Sequence, residues 1–203
     1  MVRFFDFKFL FCLMIAFGTS LLPRLSYAGV FNLPHFVAPQ KFAIGVEPEL
    51  IMTDGASLGV NLRYTQGLSE LNNFTGIIGS GGNNRQFRMG GAFTFDFFPD
   101  IENQPGIGLA LQGLYVRLPN AGSVEVSGIP YIHKTFRNEQ YHAEPYFAVP
   151  TGLALSQGVY QTIVSLVFGS LFHHSEHVSS GVEFGVSLNN AYTYISGGVI
   201  YYH

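Results

Sequence analysis

The sequence predicts an all-β fold, a closed antiparallel transmembrane β-barrel of ten strands, on three observations. Charged residues make up 11% of the 203 residues and apolar ones 47%, whereas an ordinary soluble domain carries roughly 25% charged residues. Apolar side chains recur at every second position along most of the chain, which is the period of a strand and not of a helix. Beyond the first 28 residues, no apolar run reaches the ~18 residues a spanning helix needs. The longest, 163–172, is interrupted by Ser165, Gly169 and Ser170. A surface so poor in charge needs a solvent other than water, and in lipid only helices and closed barrels pair every backbone polar group.

Residues 1–28 have the three parts of a secretory signal peptide: Arg3 and Lys8, an apolar stretch from Phe9 to Leu22, and Ser26-Tyr27-Ala28 as a small-x-small cleavage site. Cys12 lies within the apolar stretch and not at the cleavage point, which argues against a lipid anchor. It is also the only cysteine, so the remaining chain has no disulfide framework, thiol nucleophile or Cys-based metal site. Arg3, Lys8, Arg24 and Asp6 leave with the signal, so ten basic and thirteen acidic residues become seven and twelve, a formal charge of −5. That balance argues against a nucleic-acid partner, which needs a basic face.

Residues 29–40, with Pro34 and Pro39, read as an N-terminal tail, and 41–203 as the barrel. The first strand runs from Lys41, with Phe42, Ile44, Val46 and Leu50 on one face and Gly45, Glu47 and Glu49 on the other. Leu58 to Thr65, Phe87 to Phe97, Ile107 to Tyr115, Val124 to His133, Tyr141 to Val149, Gln161 to Phe168 and Val182 to Asn189 repeat the alternation, and Ala191 to His203 forms the last segment. Asn73 to Ser80, between Asn-rich and Gly-rich turns, supplies a short tenth strand; eight is the alternative count. Segments of this length suit tilted strands crossing a bilayer.

The C-terminal residues Ser196, Gly198 and Tyr201 match the first three places of an assembly signal, with His203 where an aromatic residue is usual. On these residues and the alternation, the chain resembles the small bacterial outer-membrane β-barrel class over its whole mature length. The resemblance implies an integral protein of the outer membrane of a Gram-negative cell, with 29–40 a periplasmic tail. It implies outer-membrane lipids and the barrel-assembly machinery as partners, and a structural role or a narrow, porin-like channel for a small-molecule solute. A lipid-modifying acyl hydrolase or transferase and a soluble lipocalin-like periplasmic binding protein are the alternatives.

Glu47, Glu49, Arg63, Arg88, Asp96, Glu125, His142, Glu144 and Glu183 fall on the face opposite the large apolar residues. Charge facing lipid is costly, so these residues are expected inside as a lumen charge network that fills a narrow barrel. Acids outnumber bases, so a pore here would prefer cations. His173, His174 and His177 form a weak metal-binding candidate with Glu176 close by, in a segment where no helix fixes the geometry; no metal or cofactor is expected. For acyl transfer, His133 and His142 would pair with Ser127 or Glu144, but no Gly-x-Ser-x-Gly elbow exists, and no catalytic residue is assigned. Tyrosines and phenylalanines such as Phe93, Phe97, Tyr115, Tyr131, Tyr146, Tyr192, Tyr194 and Tyr201 are expected as interfacial girdles.

Overall fold

The computed structural model describes residues 37–53, 56–82, 86–138 and 141–203. The signal-peptide reading and the first part of the expected tail lie outside the described residues. The elements are all β: β1 (Phe42–Ile51), β2 (Ser57–Ser69), β3 (Asn72–Gly81), β4 (Phe87–Phe98), β5 (Gly106–Arg117), β6 (Gly122–His133), β7 (Phe136–Arg137), β8 (His142–Ala148), β9 (Thr151–Ser156), β10 (Val159–His173), β11 (Val178–Asn189) and β12 (Tyr194–Tyr202). Pairing is antiparallel throughout, and β12 returns to β1, with Ala43 opposite Tyr202 and Ile51 opposite Tyr194. The main sheet is therefore closed on itself, the condition for a barrel in hydrocarbon.

Twelve elements make ten barrel strands. β8 and β9 occupy one strand position between β6 and β10. Tyr131 opposite Ala148 and Gly128 opposite Thr151 keep one register across the gap at Val149-Pro150. Proline has no N–H to give to the ladder, yet Val149 donates to Pro130 O (3.0 Å) and Ser165 donates to Pro150 O (3.0 Å). The expectation for this strand ended at Val149, where the proline masked the continuation through Ser156. The two-residue β7 pairs with the start of β8. Val37, near the end of the expected tail, is buried with Ala43, Leu171 and Ile200. A side chain at Gly67 would meet the carbonyl oxygens of Val37 and Ala38, so glycine is required where this segment crosses.

The alternation sorts the two faces. Val46, Leu58, Leu62, Ile78, Phe93, Leu111, Val126, Phe168, Val182 and Ile195 are exposed on the outside, which gives the barrel an apolar exterior. A soluble lipocalin-like protein would have the reverse, a polar outside around an apolar centre. The inside holds the polar residues, but not only those. Ile77, Leu114, Val116, Leu118, Ala154 and Ile163 form an apolar cluster, and Ile51, Tyr192 and Tyr194 form another. Both lie toward the end opposite Val37 and His203. The lumen is therefore layered: apolar at that far end, ionic in the middle, and open at the end where Val37 and His203 sit.

Candidate functional site

Every charged residue expected inside is buried: Glu47, Glu49, Arg63, Arg88, Asp96, Glu125, Glu144 and Glu183. His142 is half-buried at the open end. The strand register places Glu47 and Arg63 on neighbouring strands β1 and β2, where Arg63 Nη2 donates to Glu47 Oε2 at 2.8 Å. Arg88 reaches from β4 to Glu49 Oε2 on β1 at 3.0 Å, and Asn61 Nδ2 donates to the same oxygen at 3.2 Å. Arg88 needs space for this reach: a Cβ on Gly79 would stand 2.5 Å from its Nε. Glu125 on β6 lies within electrostatic reach of Arg88.

Glu183 on β11 is held by two phenols. Tyr146 OH donates to its Oε2 at 2.6 Å, and Tyr194 OH donates to Oε1. These tyrosines, with Tyr131 and Tyr192, are buried inside, which corrects the girdle reading for those four. A phenol can place an apolar ring on a crowded wall and still satisfy a carboxylate with its hydroxyl. Both Gly169 and Gly185 lack a side chain where one of these rings lies, since a Cβ would stand 2.1 Å from Tyr146 or Tyr194. Tyr146 shares the inward parity of Glu144, which was the available signal.

The third unit is centred on His133. Its Nδ1 faces Glu144 Oε1 at 2.7 Å and its Nε2 faces Asp96 Oδ2 at 3.3 Å. Ser127 is six residues along the same strand, roughly 20 Å at the rise of a strand, too far to serve His133 as a nucleophile. Glu144 Oε2 looks outward to His173 Nε2 at 3.6 Å. The His142 and His173 rings lie against each other with centroids 4.1 Å apart.

The cavities among the described residues of this network are small. Cavities beside Glu47, Arg63 and Glu183, and beside Ala43 and Thr65, measure about 10 and 20 Å³, room for about one water each. The open end is different. A cup of about 940 Å³ is lined by Lys41, Arg137, His142, Glu144, His173 and Tyr202, among others. Lys134 keeps the neighbouring loop in place, pairing with Asp100 and donating to Glu102 O at 2.6 Å.

Of the three candidate metal-binding histidines, only His173 turns toward Glu144. His174 Nε2 pairs with Ser180 Oγ (2.7 Å), and His177 Nδ1 pairs with the Tyr202 carbonyl (3.1 Å). Among the described residues, no group of three or more His, Cys, Asp or Glu is placed so that it could hold a metal ion. At the C-terminus, Ser196 Oγ donates to Pro48 O (3.1 Å), Gly198 packs on Val46 and Glu47, Tyr201 is exposed, and His203 exchanges backbone hydrogen bonds with Phe42. These four residues thus sit on the seam that closes the barrel.

No family model matches this chain, and neither does any curated protein. Among solved structures, it is similar to a de novo designed transmembrane β-barrel, at 15% identity over 83% of this chain and 100% of the other, with a TM-score of 0.41. The assignment to a closed ten-strand barrel rests on the strand pairing above.

Proposed function

We propose that this chain is an integral protein of the bacterial outer membrane, exported by a cleaved signal peptide, and that its barrel is filled and does not conduct. The observation that carries the reading is the sorting of side chains: large apolar residues outside, ion pairs inside, and cavities of about 10 and 20 Å³ between them. An apolar exterior on a closed sheet is solvated by hydrocarbon at little cost. The small cavities among the ion pairs and the apolar cluster around Leu114 and Ile163 toward the far end support a lumen with no path for a hydrated solute. Of the two roles the sequence suggests, structural protein and narrow channel, the first fits better. We assign no catalytic chemistry to it, and the cup at the open end serves as a dead-ended recess.

The test is fractionation followed by planar-bilayer recording. The protein should sediment with membranes and migrate faster on a detergent gel before boiling than after. Recovery in the soluble periplasmic extract would overturn the membrane reading. Purified barrel should give no stepwise conductance, and regular openings would overturn the closed lumen.

A further inference from the structure

We infer that one side of the rim at the open end is a lipid-binding surface: Phe97 and Phe98 at the end of β4, Ile101 on the β4–β5 loop and Phe136 on β7 insert among phospholipid chains at the membrane interface. The inference rests on the membrane reading above and adds to it a particular side of the barrel. A strand sends successive residues to opposite faces, and Phe97 and Phe98 depart from this. The register shifts between them and Asp96: Asp96 stands opposite Gly108 and Phe98 opposite Ile107, so Phe97 is the extra residue of a bulge. Bulges at barrel rims re-aim side chains in this way. Asp96 stays buried inside, while Phe97 and Phe98 are 60% and 57% exposed. Ile101 is 58% exposed and Phe136 50%. Phe136 stands opposite Ala143 on β8. Ala143 lies between His142 and Glu144, which line the cup, and opposite the exposed Phe172, so Phe136 faces outward too.

The segments that carry these residues are tied into one platform. Asp100 pairs with Lys134 and accepts from Thr135 N at 2.6 Å. Lys134 Nζ also donates to Gln104 O at 3.3 Å, and Lys134 N donates to Pro145 O at 3.1 Å. Exposed apolar groups gathered on a fixed support mark an interaction surface. Continuity with the outer wall names the occupant. Phe98, Ile107, Ile132 and Phe147 follow one another across β4, β5, β6 and β8 as a single outward row, so the hydrocarbon that covers the wall reaches the platform without a polar break. The other side of the mouth is different. His174, Ser175, Glu176 and His177 are exposed in the β10–β11 turn, and Lys41 and His203 are exposed beside β1 and β12. A membrane that covers the apolar side and leaves the polar side in water meets the barrel obliquely, since interfacial anchors set the tilt of a spanning element.

The chain has no tryptophan, so single tryptophans report depth without background. Four variants of the full-length mature barrel are refolded into phosphatidylcholine vesicles whose acyl chains carry bromine either near the headgroup or near the chain end. Phe98→Trp and Phe136→Trp lie on the platform, Glu176→Trp on the polar side, and Leu111→Trp in the middle of the outer wall. Each is first shown to keep its unboiled gel migration. F98W and F136W should emit at short wavelength and lose most fluorescence to bromine near the headgroup. L111W should lose most to bromine near the chain end, and E176W should emit as indole does in water and lose none. L111W without quenching would remove the membrane reading and this inference with it. L111W quenched while F98W and F136W are not would overturn the lipid-covered rim alone, and short-wavelength emission in that case would mean that protein covers it. Quenching of E176W equal to that of F98W and F136W would overturn the one-sided insertion.

Discussion

Removing the Arg88 guanidinium probes the network most directly. The side chains of Arg88 and Glu49 are 2% and 1% exposed, with their charged atoms 3.0 Å apart. Arg88→Met keeps most of the side-chain length and leaves the Glu49 carboxylate inside without that cation. Breaking a buried pair from one side costs ~3–5 kcal/mol. Asn61 still donates to Glu49 Oε2, which places the expected loss near ~3 kcal/mol, the lower end of that range. Glu49→Gln in the same background removes the charge and should recover at least ~2 kcal/mol, a coupling expected of contacting residues. The chain has no tryptophan, so urea unfolding in lipid vesicles is followed by far-UV circular dichroism and by the folded and unfolded gel bands. A loss under ~1 kcal/mol for R88M, the size of an exposed pair, or no recovery in the double variant, would refute the electrostatic account.

Three further outcomes follow from other parts of the molecule. Leu111→Arg, in the middle of β5 and exposed on the outer face, should cost ~2–4 kcal/mol in a bilayer; unchanged insertion would contradict a lipid-facing wall. Gly169→Ala places a Cβ 2.1 Å from the Tyr146 ring and should cost ~1–3 kcal/mol by overpacking, measured by the same urea transition. Burial opposes ionisation of Asp100, but the hydrogen bonds from Lys134 and Thr135 outweigh it and hold its carboxyl below the usual carboxylate range. The folded value is depressed, so the contribution is complete above the unfolded value and is lost as pH falls through the lower folded one. Protease cutting within 99–105 should therefore rise in acid, and D100N should show the acid pattern at neutral pH.

The barrel was legible because alternation reports which side of a strand a residue occupies, and that is enough to place Glu47, Arg63, Arg88 and Glu183 together inside. Parity does not say which of them touch. Arg88 bonds Glu49 across two intervening strands, and only the closed register brings them together. Tyr146 and Tyr194 were misread because a tyrosine near a strand end suits an interface as well as a lumen; the deciding feature is a glycine across the strand, at 169 and at 185. Ile77, Leu114 and Ile163 share the inward parity, but an apolar residue within a polar face carries no mark of whether it seals an end. His173 was read with His174 and His177 by adjacency in sequence, whereas a strand sends neighbours to opposite faces. That geometry separates His173 from His174 and turns it to Glu144.

Six buried carboxylates share two arginines, so neutralising charge is not the whole function of the network. Its units reach past neighbouring strands: Arg88 joins β4 to β1, His133 on β6 reaches Asp96 on β4 as well as Glu144 on the adjacent β8, and Glu183 joins β11 to β8 beyond β10 as well as to the adjacent β12. A one-residue slip would turn each acid into lipid, which makes the network a device for register more than for stability. The two roles predict different things for the Glu183 unit. Y146F/Y194F leaves a buried carboxylate without its two phenol donors and should cost at least ~2 kcal/mol. Adding Glu183→Leu removes the charge as well, and apolar replacement of a whole buried polar unit is close to neutral. The triple variant should therefore unfold within ~1 kcal/mol of the parent but refold into vesicles with a lower yield of the fast-migrating band. If the triple variant is as unstable as the double, the unit contributes stability outright; if its refolding yield is unchanged, it does not set register.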